Sequence, residues 1–269
     1  MQLALVLIAL VIAVAAAVRS TWSPCGLSML STITPLAEQG RGHRFRSTAT
    51  WFVVGAVVGG LTLGLGMAAL AGVVAVFDLT PATLLALGTG ALLVTAVSDS
   101  RLLGRQLPNH PRQVNERWLD QYRSWVYGAG FGWQIGTGLA TYVMTAGVYL
   151  TILLAALTGQ PLAAFALCVL FGATRGLVVL IGARATTPAR LRHIHQRLDQ
   201  LEPASRAVAV GAEGVAGAVC AAALWGAPAA VVVAALGVAG VAQVLRGAGT
   251  ARLQRPLAGR PAEVAATPR

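Results

Sequence analysis

The chain alternates between long apolar runs and short polar segments. Seven runs stand out, and they cover residues 3 to 37, 48 to 76, 81 to 98, 124 to 157, 161 to 183, 207 to 225 and 229 to 245. A helix needs roughly 17 to 25 mainly apolar residues to cross the hydrocarbon core of a bilayer. Every run reaches that length, so the pattern predicts an all-α polytopic membrane protein with seven crossings.

The composition favours the same environment. Apolar residues make up 56% of the 269 positions and charged residues only 11%, with a mean hydropathy of +0.71. In a soluble domain about a quarter of the residues carry a charge. The 20 basic residues, all arginine, exceed the 9 acidic ones. Because such an excess attracts anionic lipid headgroups, we expect the lipid bilayer, and no nucleic acid, to be the partner of these charges.

The arginines are sorted by connection, which predicts an orientation. All but Arg19 and Arg175 lie in the first, third and fifth connections or in the C-terminal tail. Basic residues accumulate on the cytoplasmic side of membrane proteins. The N-terminus is therefore predicted outside and the C-terminus in the cytoplasm. Residues 1 to 18 would also suit a cleaved signal peptide, but they lack the positively charged start of one, which favours their retention.

Two of the runs are too long for one straight crossing and contain helix-breaking residues. Runs 3 to 37 and 124 to 157 would each form a helix of roughly 50 Å, longer than the hydrocarbon core is thick. The first contains Trp22-Ser-Pro24-Cys25, and proline disfavours helix at the preceding residue. The second contains a glycine run around Trp133-Gln134-Ile-Gly136, and glycine has unusual backbone freedom. We therefore expect both helices to be broken.

The matching breaks predict an inverted repeat of three plus three helices. The first repeat covers residues 1 to 98 and the second 124 to 225, joined by a basic connector at 99 to 123. An additional transmembrane helix at 229 to 245 and a disordered cytoplasmic tail at 246 to 269 follow. Broken helices in inverted halves indicate a site near the membrane midplane. Its expected lining is Trp22, Pro24, Trp133, Gln134, Gly136 and Thr137.

At these residues the sequence resembles the CcdA/DsbD transmembrane family. The resemblance rests on Ser23-Pro24-Cys25 and on Phe131-Gly132-Trp133, where the family continues into a second Pro-Cys. It implies a carrier that passes reducing equivalents from cytoplasmic thioredoxin to an extracytoplasmic thiol protein, often for cytochrome c biogenesis. Cys25 would then be the catalytic thiol. Ile135 and Gly136 replace the second Pro-Cys, so the usual cysteine pair is incomplete.

Two other functions fit the same pattern. A permease for a small solute or ion would use the two breaks as a binding site without redox chemistry. A scaffold for another membrane complex would use neither. Cys25 is then a small buried residue that packs well, which is also the expectation for Cys168 and Cys220.

Arg175 and Glu213 fall inside predicted crossings at similar depths. Because an unpaired charge in the bilayer is costly, we expect them to form a structural ion pair. The spacings of cysteine and histidine match no metal motif, so neither a metal nor a cofactor is predicted.

Overall fold

The computed structural model describes residues 2 to 104 and 121 to 254, with side chains as far as residue 249. Most of the basic connector and the C-terminal part of the tail lie outside these ranges, as does the start of an interfacial helix that the sequence predicts at 113 to 127. In the ranges that are described, every regular element is a helix.

Ten α-helices follow one another along the described chain. They are α1 (Gln2–Arg19), α2 (Pro24–Thr32), α3 (Pro35–Gly40), α4 (Phe45–Val76), α5 (Pro81–Ser100), α6 (Ser124–Thr137), α7 (Gly147–Leu157), α8 (Pro161–Leu177), α9 (Pro188–Trp225) and α10 (Ala227–Gln254). Two 3-10 turns, Ser20–Trp22 and Val178–Arg184, continue α1 and α8. Proline opens five of the helices, where its missing N–H costs nothing.

Six helical segments are long and apolar enough to cross a membrane, which indicates an integral membrane protein. They are Gln2–Trp22, Phe45–Val76, Pro81–Ser100, Pro161–Arg184, Pro188–Trp225 and Ala227–Gly249. The run 124 to 157, which was predicted to be broken, is not among them, because it forms two short helices, α6 and α7. The boundary predicted at 207 is wrong. Helix α9 begins at Pro188 and continues through Pro203.

The first run is interrupted at the expected residues. Helix α1 ends at Arg19, and after one 3-10 turn Ser23 is extended, with ψ 154°. Pro24 starts α2, and the hydroxyl of Ser23 accepts the Gly26 N–H at 3.2 Å. Because the Ser23 side chain satisfies an N–H of the first helical turn, this sequence can restart a helix immediately after the interruption.

The second interruption lies later than the glycine run predicted. Helix α6 continues through Trp133 and Gly136 and ends at Gly138, whose φ is +72°. The chain is then non-helical until α7. Thr137 therefore lies in the last turn of α6, whereas Thr141 and Thr145 lie in the non-helical stretch. Trp133 to Gly136 precede their break, whereas Cys25 follows its own, so the two motifs do not occupy equivalent positions.

The glycines of α6 serve close helix packing. A Cβ placed on Gly132 would overlap the carbonyl oxygen of Phe52, and one on Gly136 would overlap that of Ala56. Gly55 on α4 meets the backbone of Ala129 in the same way. Small residues at such spacing let two membrane helices approach backbone to backbone. The interpretation of Gly136 as a vacant cysteine position is therefore corrected: it is a packing glycine against α4.

Candidate functional site

The two interruptions meet inside the helix bundle. We call the segments 20 to 26 and 138 to 146 together the break junction. Cys25 is 2% exposed, and its Sγ accepts the backbone N–H of Tyr142 at 3.5 Å. Because a non-helical backbone needs partners for its polar groups inside a membrane protein, this contact explains how the two segments stabilise each other.

The junction contains only part of the predicted lining. Trp22 and Pro24 line a cavity there. The Trp22 indole N–H donates to the Leu198 carbonyl at 2.8 Å. In contrast, the Trp133 indole N–H donates to Thr62 on α4 at 3.2 Å, and Trp133 is 41% exposed. The structure therefore separates the two tryptophans, which hydrogen-bond to different helices.

The remaining predicted lining residues lie along α6. The Thr137 hydroxyl donates to the Gln134 carbonyl at 2.9 Å, a bond within its own helix. Gln134 is half-buried, and Gly136 faces α4. From the second half of the chain, the later segment around Tyr142 contacts Cys25.

Arg175 reaches the junction from α8. Its side chain is buried, with Nη2 at 3.4 Å from the Thr141 hydroxyl and the guanidinium 5.6 Å from the Phe171 ring centre. Its Nη1 has no hydrogen-bond partner. It borders a cavity of about 10 Å³ between Thr21 and Gly26, enough for about one water molecule. The guanidinium thus adds hydrogen-bond donors to the junction.

The predicted ion pair of Arg175 with Glu213 does not form. Among the described residues the ion pairs are Arg19–Glu202 at 2.6 Å and Arg41–Glu38 at 3.2 Å. Glu213 is 3% exposed, and its Oε2 has no partner. Its Oε1 lies beside Gly147 at the start of α7. Arg175 and Glu213 therefore have different neighbours, Thr141 for the first and Gly147 for the second.

Asp99, at the end of α5, was not singled out by the sequence. Its carboxylate accepts the Thr145 hydroxyl and, at 2.8 Å, the backbone N–H of Ala146. Asp99 is 7% exposed. It therefore fixes the end of the second break, where the chain returns to helix.

Charged side chains surround a cavity of about 290 Å³ beside the junction, which we call the arginine cavity. Its charged lining is Arg19, Arg101, Arg206, Asp99 and Glu202. Arg19 bonds to Ser205 at 3.1 Å as well as to Glu202, and it stacks over Trp22 at 5.8 Å. Arg206 donates from Nε to the Asp99 carbonyl at 2.7 Å. The cavity thus lies between the C-terminal ends of α1 and α5 and the middle of α9.

A second buried carboxylate, Glu38 of α3, is also surrounded by hydrogen-bond donors. The Tyr127 hydroxyl is 2.6 Å from both carboxylate oxygens, and the Thr48 hydroxyl donates to Oε2 at 2.5 Å. Arg41 completes the set at 3.2 Å. We call these four residues the Glu38 cluster. It ties α3 to α4 and α6.

A sequence signal for both missed carboxylates exists. Glu38 and Asp99 each come directly after an apolar run that ends in a basic connection. An acidic residue among arginines at the end of a crossing has nearby cations to pair with. What the pattern lacks is the identity of the partners, since Tyr127 is 89 residues away from Glu38.

In the part of the chain that the structure describes, the three cysteines are buried and none of them forms a disulfide. Cys25 belongs to the core around Phe52 and Phe131, whereas Cys168 and Cys220 belong to the core around Leu92 and Leu154. The structure thus places Cys25 in a different packing group from the other two thiols.

Comparison with known proteins finds relatives of a single name. The chain is 34% identical over 178 residues to the methylamine utilization protein MauF of Paracoccus denitrificans, covering 64% of this chain and 62% of that protein. It is 29% identical to MauF of Paracoccus versutus, covering 69% of each, and 30% identical to MauF of Methylophilus methylotrophus, covering 67% and 64%. The chain therefore spans a little under two thirds of the first of these relatives.

No family model matches the chain, and no solved structure does. The resemblance to the CcdA/DsbD family is wrong, because the curated relatives carry the name MauF. The functions drawn from it, thiol-disulfide exchange with thioredoxin and cytochrome c biogenesis, are corrected with it. The relatives give no support to the permease alternative either.

Proposed function

We propose that this chain is an integral membrane protein of methylamine utilization. The observation that carries the proposal is that five curated relatives match it and bear this one name. The six membrane-length helices agree with a role in the bilayer. The arginine-rich ends of the helices face the cytoplasm in this proposal, with the N-terminus outside, as the arginine distribution favours.

The break junction and the arginine cavity form the functional centre in this proposal. Polar groups from α2, α5 and α8 converge there on the non-helical segment after Gly138, and Arg206 of α9 bonds to the Asp99 carbonyl of α5. Such segments at membrane depth are retained where they serve a site. The role of Cys25 is to hold the Tyr142 backbone: its sulfur accepts a hydrogen bond and takes no part in electron transfer.

Growth of the encoding organism on methylamine tests the proposal. A strain from which this chain is deleted is expected to lose growth on methylamine as the sole carbon source and to grow normally on succinate. The intact chain, supplied on a plasmid, should restore growth. Equal growth of the deletion strain and its parent on methylamine contradicts the proposal.

Variants in the same strain test the site. Asp99→Asn removes the charge that holds Thr145 and Ala146, and we expect it to abolish restoration. Cys25→Ser keeps an acceptor for the Tyr142 N–H, and we expect it to restore growth. The matched control is Arg197→Gln, which removes a charge from an exposed position of α9. Membrane content of each variant is measured by immunoblot, and normal growth with Asp99→Asn excludes the assigned site.

A further inference from the structure

Arg206 occupies a position where two cavities adjoin. It lines the arginine cavity and also a wider one of about 640 Å³ between the C-terminal end of α5, the middle of α9 and the C-terminal part of α10. Arg101 and Glu202 line both cavities as well. The wider cavity is bordered by Ser100 and Gln243, which add polar groups. A ligand entering from the arginine-rich end would therefore meet Arg206 between the two spaces.

The guanidinium of Arg206 has a donor without an acceptor. Its Nε donates to the Asp99 carbonyl oxygen at 2.7 Å, which fixes the side chain in place. Its Nη2 is buried and has no hydrogen-bond partner among the residues that the structure describes. A guanidinium keeps its charge in proteins and has five donors in a fixed fork. A buried donor that remains unpaired costs free energy, so the position favours a ligand that accepts hydrogen bonds.

The acidic residues of the arginine cavity already have partners. Glu202 pairs with Arg19 at 2.6 Å, and the Asp99 carboxylate accepts from Thr145 and Ala146. Asp199 lines only the wider cavity and is exposed. Three guanidiniums thus border a cavity with two carboxylates. The repulsion between like charges in this space would be relieved by an added anion.

We propose that a phosphate-type anion binds where the two cavities adjoin, with Arg206 and Arg101 as its ligands. Arginine forks match the oxygens of a phosphate group in charge and geometry. The anion is either the phosphate of a lipid headgroup or free phosphate. Basic pockets between transmembrane helices are a known way to hold anionic headgroups. This site borders the arginine cavity of the proposed functional centre, but it is inferred from the lining of the two cavities and not from a role in methylamine utilization.

Thermal unfolding of the purified full-length chain tests the site. In one arm the chain is held in a neutral detergent and inorganic phosphate is added against chloride at equal ionic strength. In the other arm the chain is placed in nanodiscs of phosphatidylcholine, with or without phosphatidylglycerol. A bound anion raises the unfolding midpoint in proportion to its occupancy. Stabilisation by inorganic phosphate identifies a free anion, and stabilisation by phosphatidylglycerol alone identifies a headgroup.

The variant Arg206→Gln is expected to weaken binding of the stabilising anion about tenfold, since a charge-assisted contact is lost. Arg197→Gln removes the same charge from an exposed site on the same helix and should behave as wild type. If Arg206→Gln does not fold, the same measurement is made with Arg101→Gln, which changes an exposed position. Absence of stabilisation in both arms overturns the proposal. It is also overturned if the rise in the unfolding midpoint on adding the anion falls equally in the Arg197 control and in the Arg206 or Arg101 variant. Neither measurement involves methylamine, so failure here leaves the growth result independent.

Discussion

Glu38 and Glu213 are both removed from solvent, with exposures of 0% and 3%, but their surroundings differ. Glu38 receives hydrogen bonds from Tyr127, Thr48 and Arg41. Glu213 leaves Oε2 without a partner and lies next to the glycine that starts α7. A buried carboxylate is tolerated as a charge only when it is paired and hydrogen-bonded. The comparison therefore identifies Glu38 as an anchor that three side chains hold by hydrogen bonds, whereas Oε2 of Glu213 has no such partner among the described residues.

The largest effect is expected from Glu38→Ala. The substitution leaves the Tyr127 and Thr48 hydroxyls and the Arg41 guanidinium without their shared acceptor. We expect a loss of about 3 to 5 kcal/mol in the free energy of unfolding, the range for breaking a buried pair. Denaturant titration of the purified chain in detergent measures it. Gln39→Ala, at the exposed neighbouring position, is the control, and equal effects would refute the anchor.

Tyr127→Phe is expected to have an intermediate effect. It removes one hydroxyl that contacts both oxygens of Glu38 at 2.6 Å, while Thr48 and Arg41 remain. The expected loss is about 1 to 3 kcal/mol, measured by the same titration. Because Tyr127 and Thr48 share one carboxylate, the double variant with Thr48→Val should be non-additive. Strict additivity would show that the two hydroxyls act independently.

Glu213→Gln is expected to change the free energy of unfolding least, by less than about 1 kcal/mol. The amide has the size of the carboxyl group and needs no counter-ion. Among the described residues Oε2 has no hydrogen bond that the substitution could remove. Glu38→Gln is the matched substitution and should cost more, since it weakens the bond with Arg41. If the two glutamines are equally costly, the contrast between the sites fails.

Helix positions were predictable from the sequence because their causes are local. The runs 48 to 76, 81 to 98 and 161 to 183 agree closely with Phe45–Val76, Pro81–Ser100 and Pro161–Arg184. Apolar length sets the extent of all three, and a proline in the first turn marks the start of the second and third. Helix α9 departs from the pattern, because a helix can continue beyond the apolar run into a polar surface, which hydropathy does not record.

The site was predicted less well because its contacts are distant in the sequence. The break at Pro24 follows from the residue itself, but the approach of Tyr142 to Cys25 depends on the packing of other helices. The link between Asp99 and Thr145 spans 46 positions. Gly136 was interpreted from backbone freedom, whereas its neighbour across the helix interface determines its role.

The glycine packing between α4 and α6 restricts how this protein rearranges. With a carbonyl oxygen seated directly over Gly132 and another over Gly136, a slide of one helix along the other by a single residue would drive a side chain into backbone. This register is therefore closely defined, and we do not expect an opening of the bundle to come from a slide between α4 and α6.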